Sequence, residues 1–233
     1  MRENSSEITK YIHIARENHK KGNIYQANEI YKKLINQRIY TYELLISYGV
    51  FCKEINNLKI AKNLFILSIK KYPSKINSYI LLAEILRNEN KVNDALKILY
   101  AAKKIEKSNP DIDYNLSISY KTIKSFREAI LSIESAIKLQ PKNPIYQILK
   151  ADILVEFFKN EEAKKLLVNL KLESDSLLYF QKEILISKIF INQKKYKLAE
   201  DVLLGLKKLF GKILAFRDFI ARSWATSGSS ENM

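Results

Sequence analysis

The sequence predicts an all-α chain in which one helical hairpin is repeated six times. Three observations carry this prediction. Alanines stand at Ala27, Ala61, Ala95, Ala129, Ala163 and Ala199, with four gaps of 34 residues and a last one of 36. A fixed period in this range is the mark of a helical repeat array. A second series of small residues, Ala15, Gly49, Ala83, Ser117, Ala151 and Ser187, keeps the same interval. Finally, 233 residues contain only five glycines and four prolines, too few for the turns of a β-protein, while 47% are apolar and can fill a core.

The stretch 76–109 shows the unit. Tyr79, Leu82, Ala83 and Leu86 follow the i, i+3, i+4, i+7 spacing of one helix face. Asn88-Glu89-Asn90 interrupts it, and Val92, Ala95, Leu96, Leu99 and Ala102 form a second stripe. Helix, short turn, helix is the reading, and such a pair must stack on its neighbours to bury its apolar faces. The small series falls on first helices and the alanine series on second helices, where short side chains let backbones approach closely. Tyr31, Phe65, Leu99, Ile133, Leu167 and Leu203 fill the next layer. Pro73 and Pro141 follow second helices, where proline stops a helix, and Gly22-Asn23 and Asn56-Asn57 mark inner turns. The expected boundaries are a tail at 1–7 and repeats at 8–41, 42–75, 76–109, 110–143, 144–179 and 180–211. A last amphipathic segment, 212–225, puts Ile213, Phe216, Ile220 and Trp224 on one face and is expected to cap the array; 226–233 is expected to be disordered.

In the order small residue, Ala, aromatic, small residue, Pro, this pattern resembles the tetratricopeptide repeat. The second repeat shows it most fully, with Gly49, Ala61, Phe65, Ser68 and Pro73; the fourth has Ser117, Tyr120, Ala129, Ala136 and Pro141. The resemblance covers about residues 8 to 211. It departs from the family in lacking the early tryptophan, which Tyr11 and Tyr79 replace in two repeats. It also departs in lacking the proline in the last two repeats and in two extra residues near Leu172 to Leu178. It implies an α-α superhelix, a right-handed solenoid, whose first helices line a concave groove used for protein partners.

Composition narrows the function classes. The net charge is +15, concentrated in the first two and the last repeats. Such a balance suits acidic partners, RNA or an anionic surface, and also a lysine-solvated exterior. A single cysteine, Cys52, forbids an internal disulfide and lies on an apolar stripe as a core thiol. The start of the chain lacks an apolar signal core, and no run approaches eighteen apolar residues; a cytoplasmic location is expected. His13 and His19 fall on different helix faces, no glycine-rich phosphate loop exists, and no catalytic grouping is visible. The expectation is a non-enzyme without cofactor or metal. Most of the fourteen tyrosines are expected on core stripes.

Candidate binding residues come from the first helices. His19, Lys53, Arg87 and Lys121 recur every 34 residues, and Val155 and Ile191 replace them in the last two repeats. Stacking would make a basic ladder in the first four repeats and an apolar patch in the last two. Charge-assisted bonds from such a ladder suit an extended acidic segment. Ile12, Ile46, Ile80, Tyr114, Ile148 and Ile184 form a second register, either packed between first helices or offered to apolar side chains of a ligand. Arg16 and Asn88 complete the expected groove. Some family members capture a terminal carboxylate with Lys and Asn; Ile12 and Arg16, then Ile46 and Val50, stand at those sites here, so that role is not carried over. The leading expectation is a protein-protein scaffold that binds a partner segment, protein or peptide, in the groove. The alternatives are an RNA-binding helical-repeat protein and a stand-alone relative of the repeat module of larger bacterial transferases.

Overall fold

A computed structural model of the chain describes residues 5–173 and 176–209. They form twelve α-helices and no strand among the described residues. The chain divides into two compact units, Met1–Ser125 and Phe126–Met233. The first unit holds α1 (Ser5–Lys20), α2 (Ile24–Asn36), α3 (Tyr42–Glu54), α4 (Leu58–Lys71), α5 (Ile76–Asn88), α6 (Val92–Ile105) and α7 (Pro110–Thr122). The second holds α8 (Phe126–Leu139), α9 (Pro144–Glu156), α10 (Asn160–Asn169), α11 (Leu177–Asn192) and α12 (Tyr196–Leu209).

In the first unit, α1 pairs with α2, α3 with α4 and α5 with α6; each second helix then packs on the next first helix, and α1 on α3 and α5 on α7. In the second unit, α9 pairs with α10 and α11 with α12, with α8 against α9 and α9 against α11. Both small-residue series are buried throughout. Gly49 shows why: a Cβ there would overlap the ring of Phe65, which is itself fully buried. Burying a side chain of that size contributes about 1.5–3 kcal/mol. The expected layer of Tyr31, Phe65, Leu99, Ile133, Leu167 and Leu203 is buried as well.

The inner turns repeat as faithfully as the core. Gly22, Asn56, Asn90, Lys124, Phe158 and Lys194 all take left-handed backbone angles, φ between 58° and 79°. At Asn56 and Asn57 the amides return to the carbonyls of Lys53 and Cys52, closing the last turn of α3. The helix starts are equally explicit. Asn109 and Asn143 cap α7 and α9 ahead of Pro110 and Pro144, and Thr41, Asn57 and Ser176 cap α3, α4 and α11.

Three differences from the sequence reading stand out. α10 is shortened to 10 residues and α11 is lengthened to 16, so that α11 begins at Leu177, ahead of 180, where the sixth repeat was expected to start. Of the fourteen tyrosines, only Tyr31, Tyr48, Tyr79 and Tyr146 are buried; the others keep part of the ring in solvent, because they flank the stripes rather than occupy them. Val155 is buried and Ile191 half-buried, so the positions expected to form an apolar surface patch lend their side chains to packing. The expected capping helix at 212–225 and the expected tail at 226–233 lie outside the described residues, as does the 1–4 part of the tail expected at 1–7, whose residues 5–7 belong to α1.

Candidate functional site: the first-helix face of the first unit

All nine candidate residues belong to α1, α3, α5 and α7, and their contacts run from one repeat to the next. On α1, Arg16 donates to Ser47 Oγ at 2.6 and 3.1 Å and pairs with Glu43 at 3.1 Å. His19 approaches Glu54 at 3.2 Å and meets the Phe51 ring edge-on. On α3, Lys53 grips both oxygens of Glu84 at 2.8 and 2.9 Å. On α5, Arg87 donates to Asn115 Oδ1 at 3.0 Å and to Ser119 Oγ at 3.3 Å. Lys121 is half-buried at the end of α7, and Asn88 is exposed beside Arg87.

The rungs therefore differ electrostatically. Lys53 faces a carboxylate. The Arg87 guanidinium meets neutral oxygens, with no ion pair to a carboxylate among the described residues. Burial pushes its pKa below the ordinary guanidinium value, opposed by the nearby charge of Glu84 and by Tyr114. Tyr114 is pushed up by burial, with the Arg87 charge acting against the shift. Of the apolar register, Ile12, Ile148 and Ile184 are buried, whereas Ile46, Ile80 and Tyr114 are half-buried. Ile46 and Ile80 thus pack on the core and still present surface, and Tyr114 lies within electrostatic reach of Arg87.

The sequence reading placed the cations and missed their partners. Glu84, Asn115 and Ser119 lie 28 to 32 residues beyond the cations they meet. That offset is the repeat length less about one helical turn, and it was the available signal. Asp113 was also missed: it is buried on α7 and bound by Lys103. Cys52 is a buried thiol that burial pushes up to about 11, with Tyr48 opposing. No group of three His, Cys, Asp or Glu side chains could hold a metal ion among the described residues, and no described helix is long and apolar enough to cross a membrane.

No family model matches the chain, and no curated protein matches it in sequence. Solved structures do. A tetratricopeptide repeat protein from Parabacteroides merdae aligns with a TM-score of 0.74 at 12% identity, over 93% of this chain and 84% of its own. Pseudomonas aeruginosa pilF aligns with a TM-score of 0.66 at 15% identity, over 92% and 97%. MamA from Desulfovibrio magneticus aligns with a TM-score of 0.59 at 17% identity, over 69% and 91%. At these identities the likeness establishes the fold, which is that of tetratricopeptide-repeat proteins.

Proposed function

We propose that this chain, a tetratricopeptide-repeat fold, is a non-catalytic scaffold that binds an acidic segment of a protein partner on the face of α1, α3, α5 and α7. The observation that carries the reading is Arg87. A half-buried guanidinium hydrogen-bonded only to neutral oxygens has given up part of its hydration, and the one carboxylate that acts on it, Glu84, is already gripped by Lys53. A partner carboxylate would restore that charge and add a charge-assisted bond, contributing about 1.5–3 kcal/mol. Ile46, Ile80 and Tyr114 supply an apolar platform for neighbouring side chains of the segment, and Asn88 and Lys121 flank it. His19, Lys53 and Arg16 act mainly as ties between repeats, holding the face in register.

The test compares partners captured from RNase-treated lysate by the native chain and by Arg87→Gln, with melting temperatures measured for both. The expected result is loss of partners rich in Asp and Glu at an unchanged melting temperature, with affinity for an isolated partner peptide falling about ten-fold or more. Identical capture by the two chains would remove the site from this face.

A further inference from the structure

The cations of the first unit fall into two populations. Many are neutralised: Arg16 by Glu43, Lys53 by Glu84, Lys62 and Lys91 by Glu89, Lys97 by Asp94 and Lys103 by Asp113. At two successive connections between repeats, taken together with the helix ends that flank them, the pattern reverses. Residues 33–42 and 70–79 contain Lys33, Arg38, Lys70, Lys71 and Lys75 and not one Asp or Glu. All five cations are exposed, and none is ion-paired among the described residues. The next connection, 103–111, mixes Lys103, Lys104 and Lys107 with Glu106 and Asp111, so within the first unit the acid-free connections between repeats are these two.

These two connections form one surface interleaved with tyrosines. Tyr72 donates its hydroxyl to the carbonyl of Tyr40 at 3.0 Å, and its ring meets Tyr42 edge-on at 5.8 Å. Lys71 lies 5.3 Å from the Tyr40 ring centre and Lys75 5.6 Å from that of Tyr42. All three rings are half-buried, so each is held by packing and still reaches solvent.

We propose that this rim binds single-stranded nucleic acid, with phosphates on the cations and bases against the tyrosines. Clustered cations without counter-charges are what a phosphate backbone neutralises, releasing its own counterions. The tyrosines decide between nucleic acid and an acidic peptide. Bases stack on aromatic faces, whereas the negative face of a ring repels a carboxylate. This surface is separate from the Arg87 face and does not depend on the scaffold reading.

The experiment follows anisotropy of a labelled oligouridylate RNA with the full chain over a salt series. One variant carries Arg38→Gln, Lys71→Gln and Lys75→Gln; a charge-matched control carries Lys21→Gln, Lys59→Gln and Lys124→Gln. The rim variant is expected to lose at least ten-fold in affinity, and its salt slope to fall by about 2, at roughly 0.7 per lost phosphate contact on a single strand. The control should stay within about two-fold of native on the same reasoning. Ultraviolet cross-linking of the native complex should mark Tyr40, Tyr42 or Tyr72, a readout that survives if a variant misfolds. Absent binding, equal losses in both variants, cross-links elsewhere, or a polyglutamate peptide displacing RNA at equal charge concentration would each overturn the proposal.

Discussion

The two units solve the same turn with residues that overlap only at lysine. Each first helix ends on a left-handed residue before the second begins. In the first unit that residue is Gly22, Asn56, Asn90 or Lys124; in the second it is Phe158 or Lys194. Glycine and asparagine enter this conformation readily, while a bulky side chain is strained there. Phe158 takes it at φ 59° while 76% exposed as a residue, so little burial offsets the strain. The cores differ in parallel. Buried residues from Ile12 to Leu116 form one continuous cluster in the first unit, whereas among the described residues of the second, one cluster gathers around Leu154 and another around Leu206. The lesson is that the period is imposed by how small residues pack between helices, and turn chemistry merely agrees with it where it can.

The largest expected effect tests that lesson directly. Gly49→Ala places a methyl group against the Phe65 ring, where a Cβ would overlap the nearest ring carbon. It should cost about 1–3 kcal/mol, against total stabilities of roughly 5–15 kcal/mol, measured by chemical denaturation. A neutral result would mean that close packing at the small positions does not hold the register.

An intermediate effect separates the units. Gly22→Ala forces a Cβ into left-handed geometry and should destabilise by about 1 kcal/mol, although nothing crowds the site. Phe158→Gly should do the reverse, raising stability by up to about 1 kcal/mol, since strain disappears and a mostly exposed ring is lost. If both substitutions moved stability downward, the Phe158 side chain would have to make stabilising contacts that its exposure argues against.

The split between what was legible in the sequence and what was not follows the same line. Ala61, Gly49 and Phe65 were readable because packing between helices repeats with the chain, and periodicity exposes anything that repeats. The position of Lys53 was readable for that reason too. Its engagement with Glu84 was not, because the acid occurs once, on one repeat, and pairing depends on the offset between neighbouring first helices. The tyrosines misled for a related reason: Tyr40, Tyr42 and Tyr72 lie at connections, where helical periodicity says nothing about burial. The start of α11 moved because an insertion can be counted in a sequence but not placed.

The smallest effect concerns two carboxylates with opposite surroundings. In the first unit, Lys62 and then Lys91 donate hydrogen bonds to Glu89 and hold its pKa below the usual carboxylate value. In the second, Glu183 borders a cleft of about 540 Å3 lined by Tyr179, Val202 and Leu206, and burial pushes its pKa up, with the Lys182 charge opposing. Lys182 itself donates to the carbonyl of Leu170. The signs therefore differ. A lowered folded-state value means that Glu89 contributes stability above the unfolded carboxyl pKa, lost as pH falls through the folded one. A raised value means that the folded chain holds the Glu183 proton more tightly, so its contribution is present at acid pH and disappears as pH rises through the folded pKa. Glu183→Gln should accordingly melt higher than the native chain at neutral pH, with the gap closing toward acid pH, while Glu89→Gln should melt lower at neutral pH and converge with the native chain in acid. Melting curves collected across the carboxyl range would check both. Parallel shifts in the two variants would mean that the carboxylates sit in equivalent environments, and the electrostatic part of the contrast between the units would fall.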